Sequence, residues 1–344
     1  MAKKKRGKKS KKSKKKKKSN LSKATKKDLD KYSEVISKVR KEVNKVVVGQ
    51  EETIDSLIRG LLCNGHVLLE GIPGIGKTLA VKSLGKATGC DSKRIQFTVD
   101  LLPTDITGIT TYRPKKGFET VKGPIFANFI LADEINRSPP KTQSAMIEAM
   151  QEKQVTISKE TYSLPKPFFV MATQNPLETS GVYPLPAAQI DRFLFKVLVD
   201  YPKKDEEKEI MSENATLKKF EDFDVEAVTS PEEIIEMQKL IKKIYLSDKI
   251  REYILRIVGL TRKKDFEKGE YLDWGASPRA SIGMFIASKA EAFIQGRDYV
   301  IPEDVKKVAY EVLRHRLILT YRAGVEGINS DDVIDEILKK VSVP

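Results

Sequence analysis

From Asp28 onward, apolar positions fall into helical stripes alternating with short strand-like blocks. Leu29, Tyr32, Val35, Ile36, Val39 and Val43 recur at helical spacing, and Thr53 to Leu62 form a second run after Gly49-Gln50. The blocks His66–Glu70, Ile95–Val99, Phe129–Ala132 and Phe168–Ala172 are short, apolar and separated by helical or loop sequence. That alternation predicts a parallel sheet with crossover helices, and Phe195–Val199 is a further strand-like block. Gln154–Ile157 and Thr161–Leu164 alternate around Ser158-Lys159-Glu160, the pattern of a β-hairpin.

Beyond Tyr201-Pro202 the strand signal fades. Pro231–Ile244, Ser247–Arg262, Ser277–Gly296, Pro302–Leu317 and Ser330–Val341 read as amphipathic helices with Ser, Pro or Asp near their starts. The predicted architecture is an α/β core over residues 28–201 followed by an all-α domain over 202–344.

The net charge of +15 changes this picture only at one end. Sixteen of the 63 lysines and arginines lie in residues 1–27 without a single acid, leaving 47 basic against 48 acidic residues elsewhere. A segment of this kind repels itself and cannot bury apolar area, so residues 1–27 are expected to be a disordered polylysine tail. Two readings of it stand side by side: a solubilising tail, and a salt-sensitive attachment to nucleic acid or another polyanion. No apolar run reaches the roughly 18 residues of a membrane-spanning helix, and no secretory signal opens the chain. A cytoplasmic protein is the simplest reading. Cys63 and Cys90 lack metal-type spacing and read as reduced, buried thiols, and the isolated His66 and His315 read as structural.

Chemistry enters after the first predicted strand. Gly71-Ile72-Pro73-Gly74-Ile75-Gly76-Lys77-Thr78 fits the phosphate-loop pattern, with a strand before it and a helix after it. Glycines let such a loop aim backbone N–H groups at phosphate oxygens, and the helix N-terminus adds positive potential. Lys77 is placed to reach the β- and γ-phosphates, and the Thr78 hydroxyl to ligate Mg²⁺.

Phe129–Ala132 ends in Asp133 and Glu134, carboxylates suited to holding Mg²⁺ and to polarising an attacking water. Phe168–Ala172 runs on to Asn175, a neutral amide able to bond that water or the γ-phosphate, or else a turn residue before Pro176. Ser277 and Pro278 predict a helix start that leaves the cation of Arg279 against the helix dipole, a cost that a nearby phosphate relieves. Read from its neighbours alone, Arg192 pairs with Asp191 and does nothing further.

With these residues in view, the chain resembles the MoxR family of AAA+ ATPases from about Val46 to Arg316. The likeness rests on GIPGIGKT, FTVDLLPTDITG, GPIFANFILADEINRSPPKTQSAMIEAMQEKQVTI, FFVMATQNPLETSGVYPLPAAQIDRF and GASPRA. It implies an AAA+ P-loop core with a helical lid, working as a ring, usually a hexamer, with ATP bound between subunits. Gly71 to Thr78 would be Walker A, with Leu79 completing the nucleotide-binding set, and Asp133-Glu134 would be Walker B. Asn175 would be sensor 1, and Arg279 the sensor-2 arginine reaching the γ-phosphate from the lid. Arg192 would be the arginine finger supplied to the next subunit, which replaces the reading from its neighbours.

Val48-Gly49-Gln50 resembles the family's adenine-side segment, residues 101–124 its helix-2 insertion and 152–165 its pre-sensor-1 hairpin. Arg137 matches a position that senses the neighbouring subunit. The implied work is chaperone-like remodelling or activation of partner proteins, often ones carrying a von Willebrand factor A domain. The alternative is a nucleic-acid-stimulated motor or loader using the basic tail; a third reading is a non-hydrolysing switch, against which Glu134 and the arginines speak.

Overall fold

The computed structural model describes residues 26–344 apart from 73, 75, 115–116, 177–180 and 214–219. The expected tail therefore lies outside the described residues, save Lys26 and Lys27, which open the first helix. The strands are β1 (Val67–Gly71), β2 (Ser92–Gln96), β3 (Gly108–Arg113), β4 (Gly117–Lys122), β5 (Phe129–Asp133), β6 (Gln154–Ile157), β7 (Glu160–Ser163), β8 (Phe169–Gln174), β9 (Phe195–Val199), β10 (Leu272–Trp274) and β11 (Ile318–Leu319). The helices of the first half are α1 (Lys26–Asn44), α2 (Glu51–Leu62), α3 (Lys77–Ala87), α4 (Pro103–Thr107), α5 (Pro140–Glu152) and α6 (Ala187–Ile190). Those of the second are α7 (Lys204–Glu213), α8 (Pro231–Ile241), α9 (Asp248–Lys263), α10 (Pro278–Ile294), α11 (Pro302–Leu313), α12 (Tyr321–Val325) and α13 (Ser330–Lys340).

The central sheet runs β2-β5-β8-β1-β9, and every neighbouring pair is parallel. Its interior strands β5, β8 and β1 are buried on both faces, which is why they read as apolar runs rather than alternating ones. Leu69, Leu131 and Met171 point into a cluster that continues through α1, α2, α3 and the C-terminal helices. Leu68, Ile130 and Val170 point the other way, against Met146 and Ile147 of α5. This is the predicted α/β fold with a helical lid.

Several boundaries differ from expectation for identifiable reasons. The block Ile95–Val99 becomes Ser92–Gln96, because β2 is an edge strand whose register is set by pairing Ser92 with Phe129 and Gln96 with Asp133. Val99 lies past the last ladder bond, from the Phe97 N–H to the Asp133 carbonyl, and is exposed. The hairpin turns on two residues rather than three, since Ile157 pairs with Glu160 and Ser158 takes a left-handed φ of 57°.

The sequence also predicts an amphipathic helix over Ser277–Gly296. Instead α10 is buried on every side from Ala287 to Ile294, because it runs through the middle of the lid. The hairpin β3–β4, the small β10–β11 sheet and α7 carry no clear periodic signal. Ser230, Ser247 and Ser277 cap α8, α9 and α10 with their hydroxyls, and proline follows at the start of α8 and α10.

Arg59 joins α2 to the lid. Its guanidinium, about 1 % exposed, donates to Glu291 of α10 at 2.9 Å and to Glu311 of α11 at 2.6 Å. Lys307 also reaches Glu291, at 2.8 Å, and the Ser56 hydroxyl reaches Glu311, at 2.5 Å. Burial pushes the Glu291 carboxyl up, but Arg59 and Lys307 together hold it below its ordinary value. Removing one partner from such a site strands the other without solvation. We therefore expect Arg59→Ala to cost about 3–5 kcal/mol in urea denaturation; a loss below about 1 kcal/mol would mean the pair does not hold the lid.

Candidate active site

The phosphate loop leaves the C-terminal end of β1, in the middle of the sheet, and runs into α3. Gly74 and Gly76 adopt φ of +84° and +79° with open space where a Cβ would stand. Their requirement is therefore conformational rather than steric. The Lys77 amine folds back to donate to the Gly71 carbonyl at 2.6 Å. No acid occupies the first turn of α3, so nothing offsets the positive end of that helix. Thr78 is half-buried and Leu79 exposed, while Ile72 packs on the core. Pro73 and Ile75 lie outside the described residues. Val48, Gly49 and Gln50 form a turn before α2, with Gly49 and Gln50 both in the left-handed region. A Cβ at Gly49 would stand 2.6 Å from a carboxylate oxygen of Glu206.

Beside the loop, the ends of β5 and β8 are tied together by Thr173, a buried residue that no sequence motif marks. Its hydroxyl donates to Asp133 at 2.5 Å and accepts from the Glu134 N–H at 2.8 Å. Glu134 sits at φ 56°, so the chain leaves the strand abruptly and the two acids point apart. The second Asp133 oxygen accepts from Arg94 at 2.7 and 3.0 Å, and the Glu134 carboxylate accepts from Gln96 at 2.7 Å. Arg137 lies 3.3 Å from the same carboxylate. Asn175, buried, follows β8 directly. The signal that exposes Arg94 and Gln96 is the strand register, which sets Gln96 opposite Asp133.

The two arginines lie elsewhere. Parallel pairing sets Val67 against Phe195 and Gly71 against Val199. Arg192 therefore lies before the N-terminal end of β9, while the phosphate loop leaves the opposite end of the neighbouring strand. Roughly 13 Å of strand separates those ends at about 3.3 Å per residue, more than a guanidinium reaches across. Arg279 lies on the same side as Arg192, its guanidinium 3.7 Å from Asp191. Arg279, expected to reach a γ-phosphate from the lid, therefore stands remote from the phosphate loop of the same protomer. The lid is fastened to the far end of the sheet instead.

Asp191 does the fastening. It accepts from Ser277, the N-cap of α10, at 3.1 Å and from the buried Arg316 at 2.8 Å. Burial lowers the Arg316 guanidinium to about 10 despite Asp191. Asp191 is thereby engaged by lid residues rather than by the exposed Arg192, whose guanidinium has no hydrogen-bond or ion-pair partner among the described residues.

His66 and His315 are structural. The His66 Nδ1 accepts from the Val170 N–H at 3.0 Å, which leaves Nε2 to donate to the Met150 carbonyl at 2.9 Å. Burial lowers it to about 4, and burial likewise holds His315 well below its ordinary value. Cys63 and Cys90 are free thiols, both raised by burial, Cys90 to about 11. Among the described residues no group of His, Cys, Asp and Glu could hold a metal ion by itself, and no helix is long and apolar enough to cross a membrane.

The parallel sheet, the phosphate loop after its interior strand β1, the paired acids and the helical lid together define an AAA+ nucleotide hydrolase. Residues 66–195 match the ATPase family associated with various cellular activities, and residues 267–337 match the AAA lid domain. The chain is 45 % identical to "Chaperone MoxR1" of Mycobacterium tuberculosis over 308 residues, covering 88 % of this chain and 81 % of that one. It is equally identical to YeaC of Bacillus subtilis, covering 90 % and 95 %. A crystal structure of a Cytophaga hutchinsonii protein, 47 % identical, superposes with a TM-score of 0.86 over 92 % of this chain and 97 % of that one. The chain belongs to the MoxR family of AAA+ ATPases, and its reaction is ATP hydrolysis.

Two outcomes follow from this geometry. Thr173→Val removes a hydroxyl bonded to a carboxylate and to the Glu134 backbone. ATP turnover should fall about 10- to 100-fold while nucleotide binding persists; unchanged turnover would leave Thr173 a packing residue. The histidines bind protons in the unfolded chain below about pH 6.5 but resist them when folded. Stability is therefore complete above pH 6.5 and falls on acidification toward pH 4, by about 1.4 kcal/mol per pH unit for each. Melting temperatures measured between pH 7 and 5 check this, and a flat profile would contradict it.

Proposed function

We propose that this ATPase works as a head-to-tail ring whose hydrolysis remodels or activates a partner protein. The observation that carries the ring is the placement of Arg192 and Arg279 together at the end of the sheet remote from their own phosphate loop. A cation site built where its own nucleotide cannot be reached serves a neighbour's nucleotide, and repeated head-to-tail contact closes into a ring. Arg192 supplies the finger and Arg279 stands beside it, so the sensor-2 role passes from cis to trans. An arginine supplied in this way contributes orders of magnitude in rate.

Within one protomer the roles follow the chain. The backbone of Gly71–Thr78 cradles the phosphates, Val48-Gly49-Gln50 lies on the base side, and Lys77 leaves the Gly71 carbonyl for the β- and γ-phosphates. Glu134 orients the attacking water and takes up its proton, and Asn175 bonds the water or the γ-phosphate. Thr173 holds both acids in place. Thr78 and Asp133 offer the hard oxygen donors that suit Mg²⁺, which would neutralise developing charge on the phosphates. Arg137, already beside Glu134, reports the neighbour's arrival.

The remodelling reading is supported by the name of the M. tuberculosis relative, a chaperone, and by a physical route from site to surface. The hairpin β6–β7 leads directly into β8, which ends at the site. That hairpin touches β3–β4 through Ser158 and Thr110 at 3.0 Å and through Tyr162 and Thr120 at 3.3 Å. Phe118 and Tyr112 stand exposed on β3–β4, their rings 5.4 Å apart, a surface suited to a client polypeptide. The boundary between core and lid near Tyr201, a hexameric count and a von Willebrand factor A client belong to this same proposal.

Mixing tests the ring. Arg192→Ala and Lys77→Ala should each be inactive alone, the first with nucleotide binding intact. Mixed rings should recover turnover at interfaces pairing an intact loop with an intact finger. Absence of recovery in rings shown by sizing to have mixed would remove Arg192 from its role in trans.

A further inference from the structure

Helix α7 packs weakly on its own protomer: among its described side chains Ile210 and Glu206 are half-buried and the rest exposed. Ten residues long, it has no buried side chain among those described, and Met211 is 71 % exposed. Its sequence, KDEEKEIMSE, carries five acids against two lysines. Helices this short are not stable on propensity alone and persist by packing an apolar face against something. The position of α7 is equally specific. It starts five residues beyond Val199, the partner of Gly71, and its Glu206 lies over Gly49. This acidic, half-naked helix therefore stands at the nucleotide end of the protomer.

The lid carries the complementary feature at the other end. A groove of about 490 Å³ opens between α8, α9 and α10, floored by Leu255, Ile282 and Phe285 and edged by Lys242, Arg251 and Lys289. No acid lines it. Leu255 and Ile282 are 48 % and 59 % exposed, although both lie on helices whose other faces are core. Ile282 and Ile286 also line the cleft that contains Arg192 and Arg279, so groove and arginines form one continuous face.

We propose that the lid groove of one subunit receives α7 of the next copy of this chain. Met211 enters against Leu255 and Ile282, and the exposed Glu207 of α7 meets the exposed Lys242 at the groove edge. The inference rests on the head-to-tail reading above and adds a second contact to it. When Arg192 of one copy is turned to its neighbour's phosphates, the groove is turned to the flank of that neighbour where α7 stands. The contact joins an acidic helix carrying the exposed Met211 to a basic-edged groove carrying the exposed Leu255 and Ile282, the composition of an interface core with a polar rim. It also ties the lid of one subunit to the helix over the next subunit's Gly49, so docking and nucleotide occupancy become coupled.

Cysteine cross-linking in the full chain tests this directly. Cys63, which is half-buried in the cleft with Arg192, and Cys90 are first replaced by serine so that only introduced thiols can cross-link. Met211→Cys combined with Leu255→Cys should yield covalent dimers and higher ladders with ATP present, whereas either single variant, or Met211→Cys with Val325→Cys on the exposed α12, should not. Glu207→Lys should raise the protein concentration for half-maximal turnover about ten-fold, as loss of one well-placed interface contact does, and Lys242→Glu in the same chain should restore it.

A chain that is monomeric at every concentration overturns the ring and this contact together. Assemblies that persist with concentration-dependent turnover, but give no cross-link and ignore the charge reversal, overturn this contact alone.

Discussion

The Asp191 carboxylate fixes how the two halves of this molecule are used. Placed one residue before Arg192, it accepts from the N-cap of α10 and from the buried Arg316, and so clamps the lid to the start of β9. Arg59 secures the same two lid helices, α10 and α11, from the other side. Buried ion pairs add little net stability over apolar replacements of the same shape, but each is costly to break by halves. Their contribution here is orientation: a lid held by Asp191 and Arg59 together has one way to sit.

That orientation decides the chemistry. Were the lid folded over the phosphate loop, Arg279 would complete the site of its own protomer. With the lid fastened to the far end of the sheet, Arg279 lines one cleft with Arg192, and on the proposed reading the protomer holds half a site at each end. The loop end is built on short backbone-directed bonds, with Thr173 joining Asp133 to the Glu134 amide. The arginine end is built on a lid clamp. In the proposed head-to-tail ring, rate depends on two copies meeting, and assembly itself becomes a control on hydrolysis.

Much of the site is legible without any knowledge of the fold. Gly71–Thr78 carries its own local requirement, glycines where the backbone turns left-handed and a lysine at the helix start, so the pattern reads without tertiary context. Asp133, Glu134 and Asn175 are legible because polar residues ending buried strands stand out. Thr173 is not, since a buried threonine in a strand looks like core until its hydroxyl partners are seen. Arg94 and Gln96 are hidden because the apolar pattern places the edge strand too late in the chain. Leu255 and Ile282 look like ordinary core positions of their helices.

The sequence by itself determined what is local: where helices and buried strands form, because periodicity and caps act over a few residues, and which loop can hold phosphate, because that depends on backbone freedom. It also determined that the charge excess belongs to one end of the chain. Only the tertiary structure decided what depends on distant residues. The register of β2 against β5 placed Gln96 opposite Asp133, within hydrogen-bond reach of Glu134, and the parallel pairing of β1 with β9 put Arg192 at the opposite edge from Lys77. The bonds from Asp191 to Ser277 and Arg316 brought Arg279 to that same edge. Each joins residues tens to more than a hundred positions apart, and such pairings are set by packing the whole chain, a constraint no local pattern encodes.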